Sequence, residues 1–252
     1  MIATTMVVSG CDAYFTFAKY SVMSFLKSCP GVPLIIFSDN VEKISSIAKS
    51  EFLFLYDFNE IFNLVPMPSI KDKPNVIVSY ETYDHNHVMI ASIYSMAQHV
   101  IKDIKFNNIE YIIKFDTDGY FVGNIINKLT KHIRKNTKRR DLMLVERKHK
   151  LMEVRYHKLP GVGFVCWRKK SRFVEMYEKI YNGDEQGTIL TISCKSMVKS
   201  EVLKHPGYHF VYPFNPGTKR HNYTKEQLKS FLPAFFHVHK IEELEQLKKW
   251  FG

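Results

Sequence analysis

Two periods of apolar spacing alternate along the chain, and the switches between them mark the expected elements. Met6-Val7-Val8 is a short continuous apolar run stopped by Ser9-Gly10, the pattern of a buried strand closed by a turn. Tyr14, Phe17, Ala18, Ser21, Val22, Phe25 and Leu26 then recur at helical spacing and predict a helix with one apolar face, ended by Pro30-Gly31. Leu34-Ile35-Ile36-Phe37 predicts a second strand running out at Ser38-Asp39-Asn40. A short helix near Val41 to Lys49 and a third strand over Phe52 to Tyr56 follow. The stretch Asp57 to Tyr83, carrying Pro66, Pro68 and Pro74, breaks both periods and reads as a long functional loop. Ile90, Ile93, Tyr94, Ala97, Ile101 and Ile104 form the buried stripe of the next helix, with Asp84 or Asn86 as its cap, and that helix feeds the apolar run Tyr111-Ile112-Ile113-Lys114-Phe115.

Beyond this point the pattern is more mixed. Leu142 to Val145 and Gly161 to Trp167 read as strands, and Arg172 to Tyr181 as a helix terminated by Asn182-Gly183. Asp184 and Glu185 open another helix reaching roughly Val198. Tyr208 to Tyr212 and Ala234 to His239 read as strands, and Ile241 to Trp250 as an amphipathic terminal helix. The alternation of strands and helices predicts the α/β class, with a mostly parallel central sheet covered by helices on both faces. No internal repeat or low-complexity linker divides it, so a single domain over 1–252 is expected, with a nucleotide-binding half near 1–120 and an acceptor half near 121–252.

Ligands of such sheets sit beyond the carboxyl ends of the strands. Asp12, Asp39, Asp116 and Asp118 all follow strand ends and are expected along that one edge. Asp116-Thr117-Asp118-Gly119 is the most pointed of these features. An acidic pair two residues apart at the end of a buried strand offers hard oxygen ligands to a divalent cation, with positions left for phosphate oxygens. The plainer alternative is a turn in which the aspartates bond their own backbone.

Composition narrows the partner. The 252 residues are 45% apolar and 14% aromatic, which excludes a disordered chain, and no run approaches the length of a membrane span. With no basic flank followed by an apolar stretch at the start, a cytoplasmic protein is expected. Cys11, Cys29, Cys166 and Cys194 lack paired spacing and are expected as reduced thiols rather than zinc ligands or disulfides. Thirty-six basic against 25 acidic side chains give a formal charge of +11, which favours an anionic partner. Part of that excess lies in residues 131–140, either a solvated surface or a peripheral contact with acidic membrane.

Taken in order along the chain, these segments resemble the nucleotide-sugar glycosyltransferases of the GT-A fold. Asp116-Thr117-Asp118 is similar to that superfamily's D-x-D motif, which holds a divalent metal, commonly manganese, against the donor diphosphate. Cys11-Asp12-Ala13-Tyr14 is similar to the first nucleotide-contacting loop, and Leu34 to Asn40 to the second strand and loop. Gly161 to Trp167 is similar to the segment bordering the acceptor, and Gly183-Asp184-Glu185-Gln186 to an acidic motif beside the reacting sugar. Phe235-Phe236-His237-Val238-His239-Lys240 resembles the late histidine segment that completes the metal site. The nearest pattern is the glycogenin and lipopolysaccharide galactosyltransferase group. Here its late H-x-x-G-x-x-K-P motif lacks the glycine and its D-Q pair becomes Asp184-Glu185-Gln186, so both retaining and inverting courses stay open.

The resemblance implies a metal-dependent transfer of sugar from a nucleotide-diphosphate donor to a hydroxyl acceptor. Asp116, Asp118 and His237 are the expected ligands of Mn2+, or of Mg2+, with His239 as the alternative because alternate residues share a strand face. Glu185, with Asp184 behind it, is the expected base toward the acceptor hydroxyl, although acidic residues also suit the first turn of a helix. Asp12, Tyr14, Asp39, Asp116 and Lys240 are expected on the nucleotide sugar, with Tyr14 stacking on the base and Lys240 meeting phosphate. Two other classes compete. Asp116-Thr117-Asp118-Gly119 also fits the start of a haloacid-dehalogenase-like phosphatase with Asp116 as nucleophile, though Tyr120 replaces the usual threonine and 115 residues precede the motif. A basic nucleic-acid-binding protein would fit the charge, but no recognition motif accompanies it, and nucleic acid is not expected as a partner.

Overall fold

The structure is a computed structural model that describes residues 1–65, 85–136, 139–146, 160–181, 183–203, 210–211, 225–226, 234–238 and 240–252. In chain order the first elements are β1 (Ile2–Val8), α1 (Asp12–Ser28), β2 (Leu34–Ser38), α2 (Val41–Ser45), β3 (Leu53–Asp57), α3 (Phe58–Phe62), α4 (His85–Val100) and β4 (Tyr111–Phe115). After them come β5 (Gly119–Phe121), α5 (Ile125–Lys135), β6 (Leu142–Glu146), β7 (Pro160–Arg168), α6 (Phe173–Ile180), α7 (Glu185–Cys194), β8 (Ser200–Leu203), β9 (Phe210–Val211), β10 (Phe235–His237) and α8 (Ile241–Phe251). Seven strands make the central sheet in the order β3-β2-β1-β4-β7-β6-β8, and β5, β10 and β9 make a second, smaller one. Within the central sheet, among the described residues, only β7 runs against its neighbours, so the carboxyl ends of β1, β2, β3 and β4 share one edge.

The two-residue period of the strands sorts their side chains into two buried layers. Ala3, Ile35, Phe37, Ile112, Leu142 and Leu144 face the layer built with α4, α6 and α7. Met6, Ile36, Ile113, Met143 and Val145 face the layer that holds α1 and α5. Each large apolar side chain so buried contributes about 1.5–3 kcal/mol, which drives the layering far more than helix propensity does. Lys114 has the parity of Ile112 and therefore points into the α4–α7 side, a fact that decides the chemistry below.

Several boundaries differ from the sequence expectation for local reasons. In α1 the buried stripe runs through Phe15, Ala18, Ser21, Val22 and Phe25, while Tyr14 is 44% exposed. The short second helix stops at Ser45, where the hydroxyls of Ser45 and Ser46 bond back to the carbonyls of Glu42 and Lys43. Asp57 is an N-cap, accepting from the amides of Asn59 and Glu60, so the stretch read as irregular opens with a helix turn. Asn86 lies inside α4 rather than at its cap, and Asp84 is outside the described residues. Ile104 is 81% exposed on a separate turn; Phe106 takes its place in the core. The helix begun by Glu185 ends at Cys194, short of Val198.

The small sheet holds the unexpected part of the fold. Its strand β5 begins at Gly119, directly after the acidic pair, and pairs antiparallel with β10 so that Gly119 lies opposite His237. Phe235, two residues earlier on β10, packs on Phe115 and Phe121 with ring centroids 5.1 and 4.7 Å apart. A Cβ added at Gly119 would lie 2.0 Å from the Phe235 ring, so this strand start has no room for a side chain. Gly119→Ala is expected to destabilise the fold by about 1–3 kcal/mol through overpacking. A lower denaturant midpoint at unchanged slope checks this; an unchanged midpoint would contradict it.

Candidate active site

The turn between β4 and β5 carries Asp116, Thr117 and Asp118 at the rim of the sheet. The amide of Val238 donates to the Asp118 carbonyl at 2.8 Å, which extends the β5–β10 pairing into the turn and brings His237 beside it. His237 Nε2 lies 3.0 Å from Asp118 Oδ2, and its Nδ1 lies 3.9 Å from Asp116 Oδ2. One ligand atom from each of Asp116, Asp118 and His237 falls within 4.8 Å of the others, and all three residues are half-buried. Two carboxylate oxygens and one imidazole nitrogen on a partly open rim suit a hard or borderline divalent cation such as Mn2+ or Mg2+. The donor set therefore fits the metal expected from the sequence. His239 is outside the described residues.

Behind the rim stands a network that the sequence reading did not find. The side chain of Lys114 is 3% exposed, and its Nζ lies 2.5 Å from Asp116 Oδ1 and 3.2 Å from Glu185 Oε1. Tyr94, fully buried on α4, donates its hydroxyl to the same Glu185 oxygen at 2.5 Å. Glu185 is the first residue of α7, with Asp184 as the N-cap. Burial pushes the Glu185 carboxyl above the usual carboxylate range, while the Lys114 ammonium pulls it back. Despite burial, the two flanking carboxylates hold the Lys114 ammonium above its ordinary pKa. Charge is tolerated here because each buried group has an opposite partner.

A cleft of about 270 Å³ opens over this network, lined by Val7, Ser9, Tyr14, Ile93, the segment Lys114 to Asp118, and Glu185. The cleft thus brings together Asp116, Asp118, Glu185 and Tyr14, with His237 beside Asp118 at its rim. The other sequence candidates stand apart from that lining. Asp12, 95% exposed, is ion-paired with Lys43 of α2. Asp39 accepts from the Gly10 amide at 2.9 Å and so fixes the loop after β1, where Gly10 has a φ of 95°. Asp184 turns its carboxylate over the start of α7, where a Cβ at Gly187 would lie 2.3 Å from Oδ2. Lys240 is exposed as the N-cap of α8.

The basic stretch also divides. His132 and Arg140 sit on Glu201, at 3.1 and 3.4 Å, whereas Lys131, Arg134, Lys135 and Arg139 are exposed. All four cysteines are free, and among the described residues no helix is long and apolar enough to cross a membrane. For the buried network, Tyr94→Phe is expected to lower unfolding free energy by about 1–3 kcal/mol, because the hydroxyl donates to a charged, mostly buried acceptor. Chemical denaturation of both proteins measures it, and equal stabilities would show that the bond carries no weight.

No family model matches the chain, and no curated protein matches it in sequence. Among solved structures it is similar to the apo form of mouse xyloside xylosyltransferase 1, with a TM-score of 0.59 and 12% identity, over 94% of this chain and 97% of that one. At that identity the likeness is one of fold. It spans nearly the whole of both chains, and the fold expected from the sequence, a GT-A-like α/β domain around a mostly parallel sheet, is the one observed.

Proposed function

We propose that this chain is a glycosyltransferase that moves a sugar from a nucleotide-diphosphate donor to a hydroxyl acceptor with the help of a divalent cation. The observation that carries this reading is the Asp116, Asp118 and His237 cluster at the carboxyl edge of β4, on the same cleft as Glu185. Asp116, Asp118 and His237 would hold the cation, Mn2+ by preference and Mg2+ as the alternative. Bound there, it supplies Lewis-acid neutralisation of the charge that develops on the departing diphosphate.

The chain's own residues account for the remaining roles. Tyr14, exposed at the mouth of the cleft, offers a ring face to the nucleobase. Asp39 fixes the loop after β1 through the Gly10 amide, while Asp12, paired with Lys43, and Lys240, exposed at the start of α8, would have to turn toward the cleft to meet ribose and phosphate. Glu185 takes the proton from the acceptor hydroxyl as that oxygen attacks the anomeric carbon and the bond to the diphosphate breaks. A carboxyl raised by burial is the stronger base for this work, and Asp184 is the adjacent substitute. Such a displacement inverts the anomeric centre. The mouse protein is by name a xylosyltransferase, which makes a pentose donor the first to try.

The phosphatase reading needs Asp116 to attack phosphate from the strand that opens its domain. Here Asp116 follows the fourth strand in chain order and is ion-paired with Lys114. Exposed Lys131, Arg134, Lys135 and Arg139 remain available to an acidic membrane surface, outside the cleft.

Asp118→Ala is expected to lower metal-dependent sugar transfer by at least about a hundredfold, the scale seen when a charge-stabilising group is removed. Its thermal unfolding should stay near that of the parent, since Asp118 is half-buried at a turn. Product formation from a radiolabelled donor measures the first and calorimetry the second. Full transfer by the folded variant would remove Asp118 from the site.

A further inference from the structure

We infer that Lys114 determines which divalent cations the Asp116, Asp118 and His237 cluster accepts, by holding one oxygen of Asp116 and limiting that aspartate to a single ligand oxygen. The inference rests on the reading of this cluster as a metal site.

The two oxygens of Asp116 have different surroundings. Oδ1 is 2.5 Å from the Lys114 ammonium, and Oδ2 is the atom turned toward His237, 3.9 Å from its Nδ1. Lys114 cannot follow Asp116 if that carboxylate rotates. Its side chain is 3% exposed between β4, α4 and α7, and its Nζ is also tied to Glu185. Presenting both Asp116 oxygens to one cation would break a short charge-assisted bond inside the protein, where such bonds are strongest.

Cations differ in what this restriction costs them. Ca2+ takes six to eight oxygen ligands and readily uses both oxygens of a carboxylate, whereas smaller octahedral cations are satisfied by one oxygen from each. A locked Asp116 therefore disfavours Ca2+ relative to Mn2+. Lys114 also carries a positive charge that opposes any cation nearby. That effect is equal for two ions of the same charge, so it cancels in the ratio of their affinities. Ligand restriction does not cancel, and the ratio isolates it.

The test is a calorimetric titration of the full chain with Mn2+ alone and with Ca2+ alone. It compares the parent with Lys114→Met, Lys114→Gln and Tyr94→Phe. Lys114→Met removes the ammonium at similar side-chain length, and Lys114→Gln keeps a polar end if the methionine variant does not fold. The parent should prefer Mn2+. Both Lys114 variants should shift the ratio of dissociation constants toward Ca2+ by about tenfold, the lower end of the effects expected from residues behind a metal ligand. Tyr94→Phe leaves the Lys114–Asp116 pair in place and should keep the parental ratio. An unchanged ratio in a Lys114 variant that still binds Mn2+ would overturn the inference, as would loss of both ions from a folded variant. Failure of the parent itself to bind either ion would instead remove the metal site, and with it the proposed function.

Discussion

The pairing of β5 with β10 is the constraint on which the site depends. Asp118 and His237 are far apart in the chain, and a three-residue strand opposite another three-residue strand brings them to 3.0 Å. So short a pairing supplies too few backbone bonds to hold itself. Its anchor is Phe235, buried against Phe115 and Phe121, in a position that exists only because Gly119 has no side chain. The glycine after the acidic pair thus has a packing role rather than a turn role. Its absence of bulk lets β10 approach, and the strand period then puts His237 on the same side as Phe235.

Behind that rim, one ammonium serves two carboxylates. An isolated charge at the depth of Lys114 would cost several kcal/mol in lost hydration, and the ion pairs with Asp116 and Glu185 offset this. Glu185 gains a second donor in Tyr94, so α4, β4 and α7 meet at one oxygen atom. The arrangement links Asp116 on the acidic rim to Glu185 through a single buried side chain. Rigidity of this kind is what a site needs when ligand atoms must keep a fixed geometry.

Much of this was legible in the amino-acid order. The run Tyr111 to Phe115 was legible as a buried strand, and Phe235-Phe236 before His237 as another carrying a polar side chain, and both are strands in the fold. What escaped were features made by tertiary contact alone. Lys114 is counted within an apolar run, and only the parity of β4 and the approach of α7 make it an ion-pair centre. Tyr94 fitted the apolar stripe of its helix, and its hydroxyl gave no sign of a partner 91 positions away. Conversely, Asp12 and Asp39 follow strand ends as expected, yet a neighbouring lysine and a backbone amide respectively engage them. Position after a strand end is a property of the chain; convergence on one cleft is a property of the packed helices.

The most direct measurement is the melting temperature of the full chain with a panel of nucleotide sugars, each with Mn2+ and again with a chelator. A ligand held by the native state raises that temperature by mass action. A cation bridging the Asp116 rim and a donor diphosphate predicts stabilisation by at least one nucleotide sugar that disappears when the metal is removed. Stabilisation that survives the chelator unchanged, or none from any donor, would contradict it.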